Sequence, residues 1–280
     1  MDRTLHIVID YLTRGALQTG RQLLFVLGPM LVIAVVLQYV SRFVRTRAAR
    51  AIGFNAYIYL TAPGVMIHEL GHAFFCVTFL HKIVKMQLFS PKADGTLGHV
   101  DHSYNPKSTY QKIGNFFIGT GPIWFGTATI YLLSQILLDH SAESHVAGMT
   151  SSDAAFDFVA IGQQVLAGAW QLFAGMVHPQ MFSSWQFWLF VYLVFCIGSH
   201  ITLSPPDIAG AWRGFVSLVA FMLIVNLLTL WLDQGYSARA CEELVRACVS
   251  VYSVCLFVIG LNLALGAVMF VLSAVRRSLE

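Results

Sequence analysis

Charge is what this sequence most lacks. Its 280 residues include 17 Lys and Arg and 14 Asp and Glu, so 11% are charged and 57% hydrophobic, where a soluble domain carries about 25% charged residues. A water-facing surface for a fold of this length cannot be built from so few ions, and the mean hydropathy of +0.68 places the apolar excess against lipid. The net charge of +3 is small and its basic residues scattered, which excludes a nucleic-acid partner. Cysteine is sparse as well. Cys76, Cys196, Cys241, Cys248 and Cys255 lie in or beside apolar segments without CxxC spacing and read as small buried residues, with Cys241 and Cys248 a weak candidate pair. A cleavable signal peptide is not expected, because Asp2, Arg3, Asp10 and Arg14 interrupt the first residues.

What is abundant is long apolar runs. A helix needs about 20 apolar residues to cross the hydrocarbon core. Six windows meet that requirement, at 23–44, 52–80, 113–138, 185–203, 208–232 and 249–275. A further stretch, 158–177, carries Asp157, Gln164, Gln171 and His178 at intervals of seven, a polar stripe that reads as an interfacial or re-entrant helix. The expected fold is an all-α polytopic membrane protein of about six transmembrane helices. It forms one integral domain over 1–280, with a core at 52–138 plus 185–232 and peripheral helices at 1–51 and 248–280.

Lys82, Lys85, Lys92, Lys107 and Lys112 crowd one link, whereas 139–184 contains no Lys or Arg. The positive-inside rule puts the first link in the cytoplasm and the second outside; on six spans the tail with Arg276 and Arg277 is cytoplasmic too. Arg42, Arg45, Arg47 and Arg50 conflict with this scheme, since they crowd a link that it places outside. Between the helices, 82–89 and 96–102 are short alternating runs around Ser90-Pro91-Lys92-Ala93-Asp94-Gly95, the pattern of a β-hairpin.

The chemistry concentrates in His68-Glu69-Leu70-Gly71-His72. Residues four apart share a helix face, so His68 and His72 can hold one Zn²⁺ while Glu69 reaches its water as general base. Three ionisable side chains inside an apolar helix are costly unless something binds them. A hydrolytic zinc site has a third protein ligand, and Asp207 is the best candidate. It follows Ser204-Pro205-Pro206, where a helix must break and free backbone groups must line a cavity. Asp207 also suits a helix N-cap, and the two roles are compatible.

His68-Glu69-Leu70-Gly71-His72 in a membrane helix, Gly119-Thr120-Gly121-Pro122 opening a later span, and Pro205-Pro206-Asp207 downstream together resemble the site-2 protease family of intramembrane metalloproteases. The resemblance covers 60–80, 113–126 and 199–210. It implies a divergent member: a three-helix zinc endopeptidase that cuts transmembrane or membrane-proximal protein substrates, with His68, His72 and Asp207 as ligands and Glu69 as base. It also implies a re-entrant β-element beside the site, whose edge can take up an extended peptide. The expected setting is the bacterial inner (cytoplasmic) membrane, with the site toward the cytoplasmic half. The family's Asn upstream of Leu-Asp-Gly is absent here, where the residues are Ser204-Pro205-Pro206-Asp207-Ile208-Ala209-Gly210. His200 and Ser204 are then the candidates for polarising the scissile carbonyl, and a structural role is the simpler reading of His200.

Topology supplies a separate condition. The ligands share a depth only if the motif helix and 185–203 run the same way, which requires 158–177 not to span. His99, Asp101 and His102 resemble a second metal cluster but read more simply as polar loop residues. Two rival functions stay open. One is a membrane-anchored zincin of the prenyl-protein protease type with Glu242 or Glu243 as third ligand. The other is a non-proteolytic metal-binding or transport protein, for which Arg213 and His200 are the chief further polar residues in the spans.

Overall fold

The computed structural model describes residues 2–92, 95–138, 157–177, 180–232 and 235–279. Helices α1 (Asp2–Gln22) and α2 (Gly28–Ile52) are joined by a π-helical turn, Leu23–Leu27, into one long rod. Gly53, at φ +90°, ends it, and α3 (Phe54–Leu60) and α4 (Ala62–Thr78) follow, separated at Thr61. Strands β1 (Lys82–Gln87) and β2 (His99–Ser103) come next, then α5 (Thr109–Leu137), α6 (Phe158–Met176), α7 (Trp185–His200), α8 (Pro205–Leu232) and α9 (Tyr236–Leu279).

The largely helical, apolar architecture and the hairpin are as the sequence implies; six crossings are not all present as single long helices among the described residues. Among the described residues four helices, within Thr4–Ile52, Thr109–Leu137, Pro205–Leu232 and Arg239–Leu272, are long and apolar enough to cross a membrane, and Trp185–His200 is a shorter apolar helix. The 52–80 window is split at Thr61, so its apolar length is not one helix.

Helix directions follow from contact order. Along α4 and α7, the Tyr192 hydroxyl donates to Leu60 O at 2.7 Å, a Cβ on Gly64 would lie 1.9 Å from Cys196 O, and His68 Nδ1 meets His200 O at 2.7 Å. The contacts advance together, so α4 and α7 run parallel, the condition for His68, His72 and Asp207 to share a depth. Between α4 and α5 they run in opposite senses: Gly71 abuts Gly121, and Phe79 abuts Gly114. Between α5 and α8 they do so again, Gly119 against Asp207 and Gly214 against Phe116. Hence α8 continues in the direction of α7 across the break at 201–204. The windows 185–203 and 208–232, expected as successive crossings, run in the same direction on either side of the break at 201–204, and Pro205 and Pro206 stand in the first turn of α8, where no N–H is needed.

The arginines expected in the first link lie in the last turns of α2. Arg47 lies over the Phe43 and Phe270 rings at 5.4 and 4.6 Å, and Arg45 faces a cavity, so only Arg42 and Arg50 are outward charges of the kind the positive-inside rule counts. Helix α6 rests on α9, with Gly168 against Ser253 and Phe173 against Phe257 and Gly260. Its polar residues do not form one solvent stripe. Gln171 is exposed, but Gln164 is half-buried with Oε1 enclosed, and His178 lies outside the described residues. The hairpin pairs β1 with β2 antiparallel, from Lys82↔Ser103 to Gln87↔His99, with a bulge between Ile83 and Lys85. Ser90 N to Leu97 O at 2.6 Å and Lys92 N to Thr96 O at 2.8 Å carry the pairing toward the turn, of which Ala93 and Asp94 lie outside the described residues. All five cysteines are free and buried. Cys241 and Cys248, seven residues apart on α9, are separated by about 10 Å of helical rise, too far for a disulfide.

Candidate metal centre

On α4, His68 and His72 stand one turn apart with Nε2 atoms 3.2 Å from each other. Each ring is held from behind by a backbone carbonyl: His68 Nδ1 at 2.7 Å from His200 O, and His72 Nδ1 at 2.7 Å from Ile118 O. A carbonyl only accepts, so both Nδ1 atoms carry hydrogen, and in the neutral rings both Nε2 atoms present lone pairs. Those lone pairs converge on the Asp207 carboxylate, with Oδ1 3.3 Å from His72 Nε2 and Oδ2 3.8 Å from His68 Nε2. Two lone pairs and an anion facing one another form a cradle for a cation. Ligands of a tetrahedral ion held at 2.0–2.1 Å stand about 3.3 Å apart, close to the 3.2 Å between the two Nε2 atoms and the 3.3 Å from His72 Nε2 to Asp207 Oδ1. Among the described residues His68, His72 and Asp207 are the group of donors that could hold a metal ion, all within 4.8 Å of one another.

Asp207 both caps and faces the histidines. Ser204 N donates to Asp207 Oδ2 at 2.7 Å and Asp207 N approaches Ser204 Oγ at 3.4 Å, a capping box at the start of α8. Pro205 and Pro206 fill the first turn, where no N–H is needed. The cap fixes the carboxylate, and glycine sets its distance: a Cβ on Gly119 would lie 2.4 Å from Asp207 O. The α4–α5 approach is equally tight, since a Cβ on Gly121 would lie 2.7 Å from Gly71 O. These contacts account for the glycines of both motifs.

Glu69 is 6% exposed, one residue from the first histidine, and the hairpin closes over it, since a Cβ on Gly98 would lie 2.7 Å from Glu69 Cγ. A cavity of about 720 Å³ joins His68, Glu69, His72 and Asp207, within the size range of ligand sites. His200 and Ser204 border it, yet both side chains have internal partners. His200 Nε2 meets Thr61 Oγ1 at 3.0 Å while Thr61 donates to Tyr57 O at 2.9 Å, and Ser204 Oγ serves the cap. The His200 contribution to the donor group is its carbonyl.

Two cavity residues were not singled out from sequence. Asn115 on α5 is 6% exposed and lines the cavity, and Arg45 on α2 lines it too. An Asn within the apolar run 113–118 was a signal for the first; Arg45 was masked by its assignment to a link.

His99, Asp101 and His102 do not form a second cluster. On β2, alternation puts His99 and Asp101 on one face, 3.9 Å apart, and His102 on the other, where its Nδ1 meets His81 Nδ1 at 2.9 Å. His81 Nε2 donates to Gln111 O at 2.8 Å, so its Nδ1 accepts and His102 donates, and this pair ties the hairpin to the end of α4 and the start of α5. Burial pushes both imidazoles below their ordinary pKa; the charge of His81 and then of His72 adds to the effect on His102. Glu242 and Glu243 lie outside the cavity lining, and Glu243 pairs with Arg246 at 2.9 Å. Arg213 is exposed on α8. No protein-family model, curated protein or solved structure matches the chain.

Proposed function

We propose that the chain is an intramembrane zinc-dependent endopeptidase of the site-2 protease type, cutting transmembrane or membrane-proximal segments of other proteins in the bacterial inner membrane. The observation that carries this reading is the convergence of His68 Nε2, His72 Nε2 and the Asp207 carboxylate beside buried Glu69, inside an apolar helical bundle. Two imidazoles and a carboxylate are a donor set that suits zinc. When bound, the ion supplies Lewis acidity toward the scissile carbonyl and a water of lowered pKa.

The protein's own groups perform the rest. Glu69 takes a proton from the attacking water as its oxygen bonds to the carbonyl carbon, then delivers it to the nitrogen as the C–N bond breaks. His68 and His72 keep their Nε2 atoms turned to the ion because His200 O and Ile118 O hold the opposite nitrogens. Asn115, in the cavity wall, offers the amide N–H that polarises the scissile carbonyl, the group missing before Asp207. The substrate unwinds and adds to β2, which lines the cavity and is paired on one edge by β1. With the lysines of 82–112 in the cytoplasm, the site opens toward the cytoplasmic half.

The test is Glu69→Gln in purified, membrane-reconstituted protein. Zinc content should match the parent while cleavage of a membrane-protein substrate is lost; undiminished cleavage refutes the assignment. Asp207→Ala should release zinc, whereas alanine at both Glu242 and Glu243 should retain it. The reverse pattern favours the zincin with a glutamate ligand.

A further inference from the structure

Helix α2 is apolar before Gln38, but Gln38, Ser41 and Arg45 then recur at i, i+3 and i+7, one face of the helix. Ser41, 1% exposed, donates to Gly198 O at 2.9 Å and fixes that face against the last turn of α7. Arg45, one turn farther along, is half-buried and borders the cavity of His68, Glu69 and Asp207, and exposed Gln38 sits at its rim.

No described carboxylate pairs with Arg45. Of the described acids bordering the cavity, Asp207 serves His68, His72 and the Ser204 N–H, Asp101 lies by His99, and Glu69 sits under the hairpin. Nor does a described hydrogen bond run from Arg45 to the carbonyls ending α7, so it is not a helix C-cap. A guanidinium in the wall of an apolar bundle is costly without an anion, and its planar fork matches a carboxylate with two parallel hydrogen bonds. The hairpin runs along the cavity from the end of α4, where His81 holds it, to Phe89, whose ring meets that of Tyr59 at 5.7 Å just before α4 begins, and Arg45 borders the cavity toward His200, against which Gly64 near the start of α4 packs. A peptide lying along β2 and over Glu69 therefore extends toward Arg45.

We infer that Arg45 docks a carboxylate of the substrate, so that the cavity selects peptides bearing an acidic group on the α2 side of the scissile bond. The group is either the α-carboxylate of a chain end or an Asp or Glu side chain. The inference rests on the proteolytic reading of the site, but its test does not depend on cleavage.

The experiment uses zinc-loaded Glu69→Gln protein in phosphatidylcholine nanodiscs and three fluorescent apolar peptides of otherwise identical sequence. One ends in a free carboxylate, one in an amide, and one in an amide with an internal Glu. At least one acidic peptide should bind about 10- to 100-fold tighter than the plain amide, as a charge-assisted hydrogen bond provides, and the tighter of the two identifies the source of the carboxylate. Adding Arg45→Gln should abolish the preference, and Arg45→Lys should keep part of it, with zinc content and affinity for the plain amide unchanged. Equal affinity for all three peptides, or a preference that survives Arg45→Gln, overturns the inference. A parent protein that shows the preference yet cleaves nothing fails the proteolytic reading alone.

Discussion

Adding one methyl group at residue 119 tests how the donor group is assembled. In Gly119→Ala the new Cβ would stand 2.4 Å from Asp207 O, 2.7 Å from Ala211 N and 2.8 Å from Ala211 Cβ, where ordinary contact begins at 3.4 Å. Two of these atoms are backbone, so α5 and α8 must separate by about 1 Å, an overpacking cost of about 1–3 kcal/mol. Asp207 moves with α8, opening the 3.3 Å gap between its Oδ1 and His72 Nε2 by more than the roughly 0.2 Å that a metal shell tolerates. Zinc affinity should fall about 10- to 100-fold, the loss usual when the support of a ligand is disturbed. Equilibrium competition with a chelator measures that loss, and thermal unfolding of the reconstituted protein measures the packing cost. Gly20→Ala is the control, because a Cβ there meets nothing within 4 Å and alanine favours a helix. Ala211→Gly added to Gly119→Ala should restore little, since both backbone contacts persist. A Gly119→Ala protein with the parent's zinc affinity and unfolding midpoint would refute the idea that this close approach sets the ligand distance.

Asn115→Ala should lower kcat by about 100- to 1,000-fold, the effect of losing one preorganised donor, with zinc content unchanged and KM little altered; steady-state cleavage kinetics decide it, and a kcat equal to the parent's returns the role to another group. The hairpin should loosen in acid. His81 and His102 are held below their ordinary pKa in the fold, so the unfolded hairpin takes up protons first: their contribution is intact above about pH 6.5 and is lost as the pH falls toward the folded-state values. Protonated His81 also has no lone pair to accept from His102. Amide hydrogen exchange in 82–87 and 99–103 should therefore quicken, after correction for intrinsic rates, between about pH 7.5 and 5.5, and His102→Gln should flatten that dependence.

Much of the site was legible in order along the chain. The spacing of His68 and His72 places them on one helix face because an α-helix turns every 3.6 residues. Ser204-Pro205-Pro206-Asp207 announces a helix start, and its capping box is present. The alternation of 82–89 and 96–102 announces a hairpin, and the two strands pair. Local rules sufficed because each of these partners lies within about 20 residues along the chain, the helical ones within four.

What the sequence by itself determined, then, is a helical chain made for lipid, a pair of imidazoles on one face, a carboxylate at a broken helix, and a hairpin after the motif. Only the tertiary structure decided which faces meet. It made α7 and α8 run on in one direction, turned Arg45 from an apparent link into a cavity wall, brought Asn115 to the same cavity, and put the carbonyls of His200 and Ile118 behind the two histidines. The reason is physical. Periodicity encodes the side chains that share a helix, but the approach of two helices is set where their backbones can touch, at Gly64 on Cys196, Gly71 on Gly121 and Gly119 on Asp207, contacts between residues far apart in the chain.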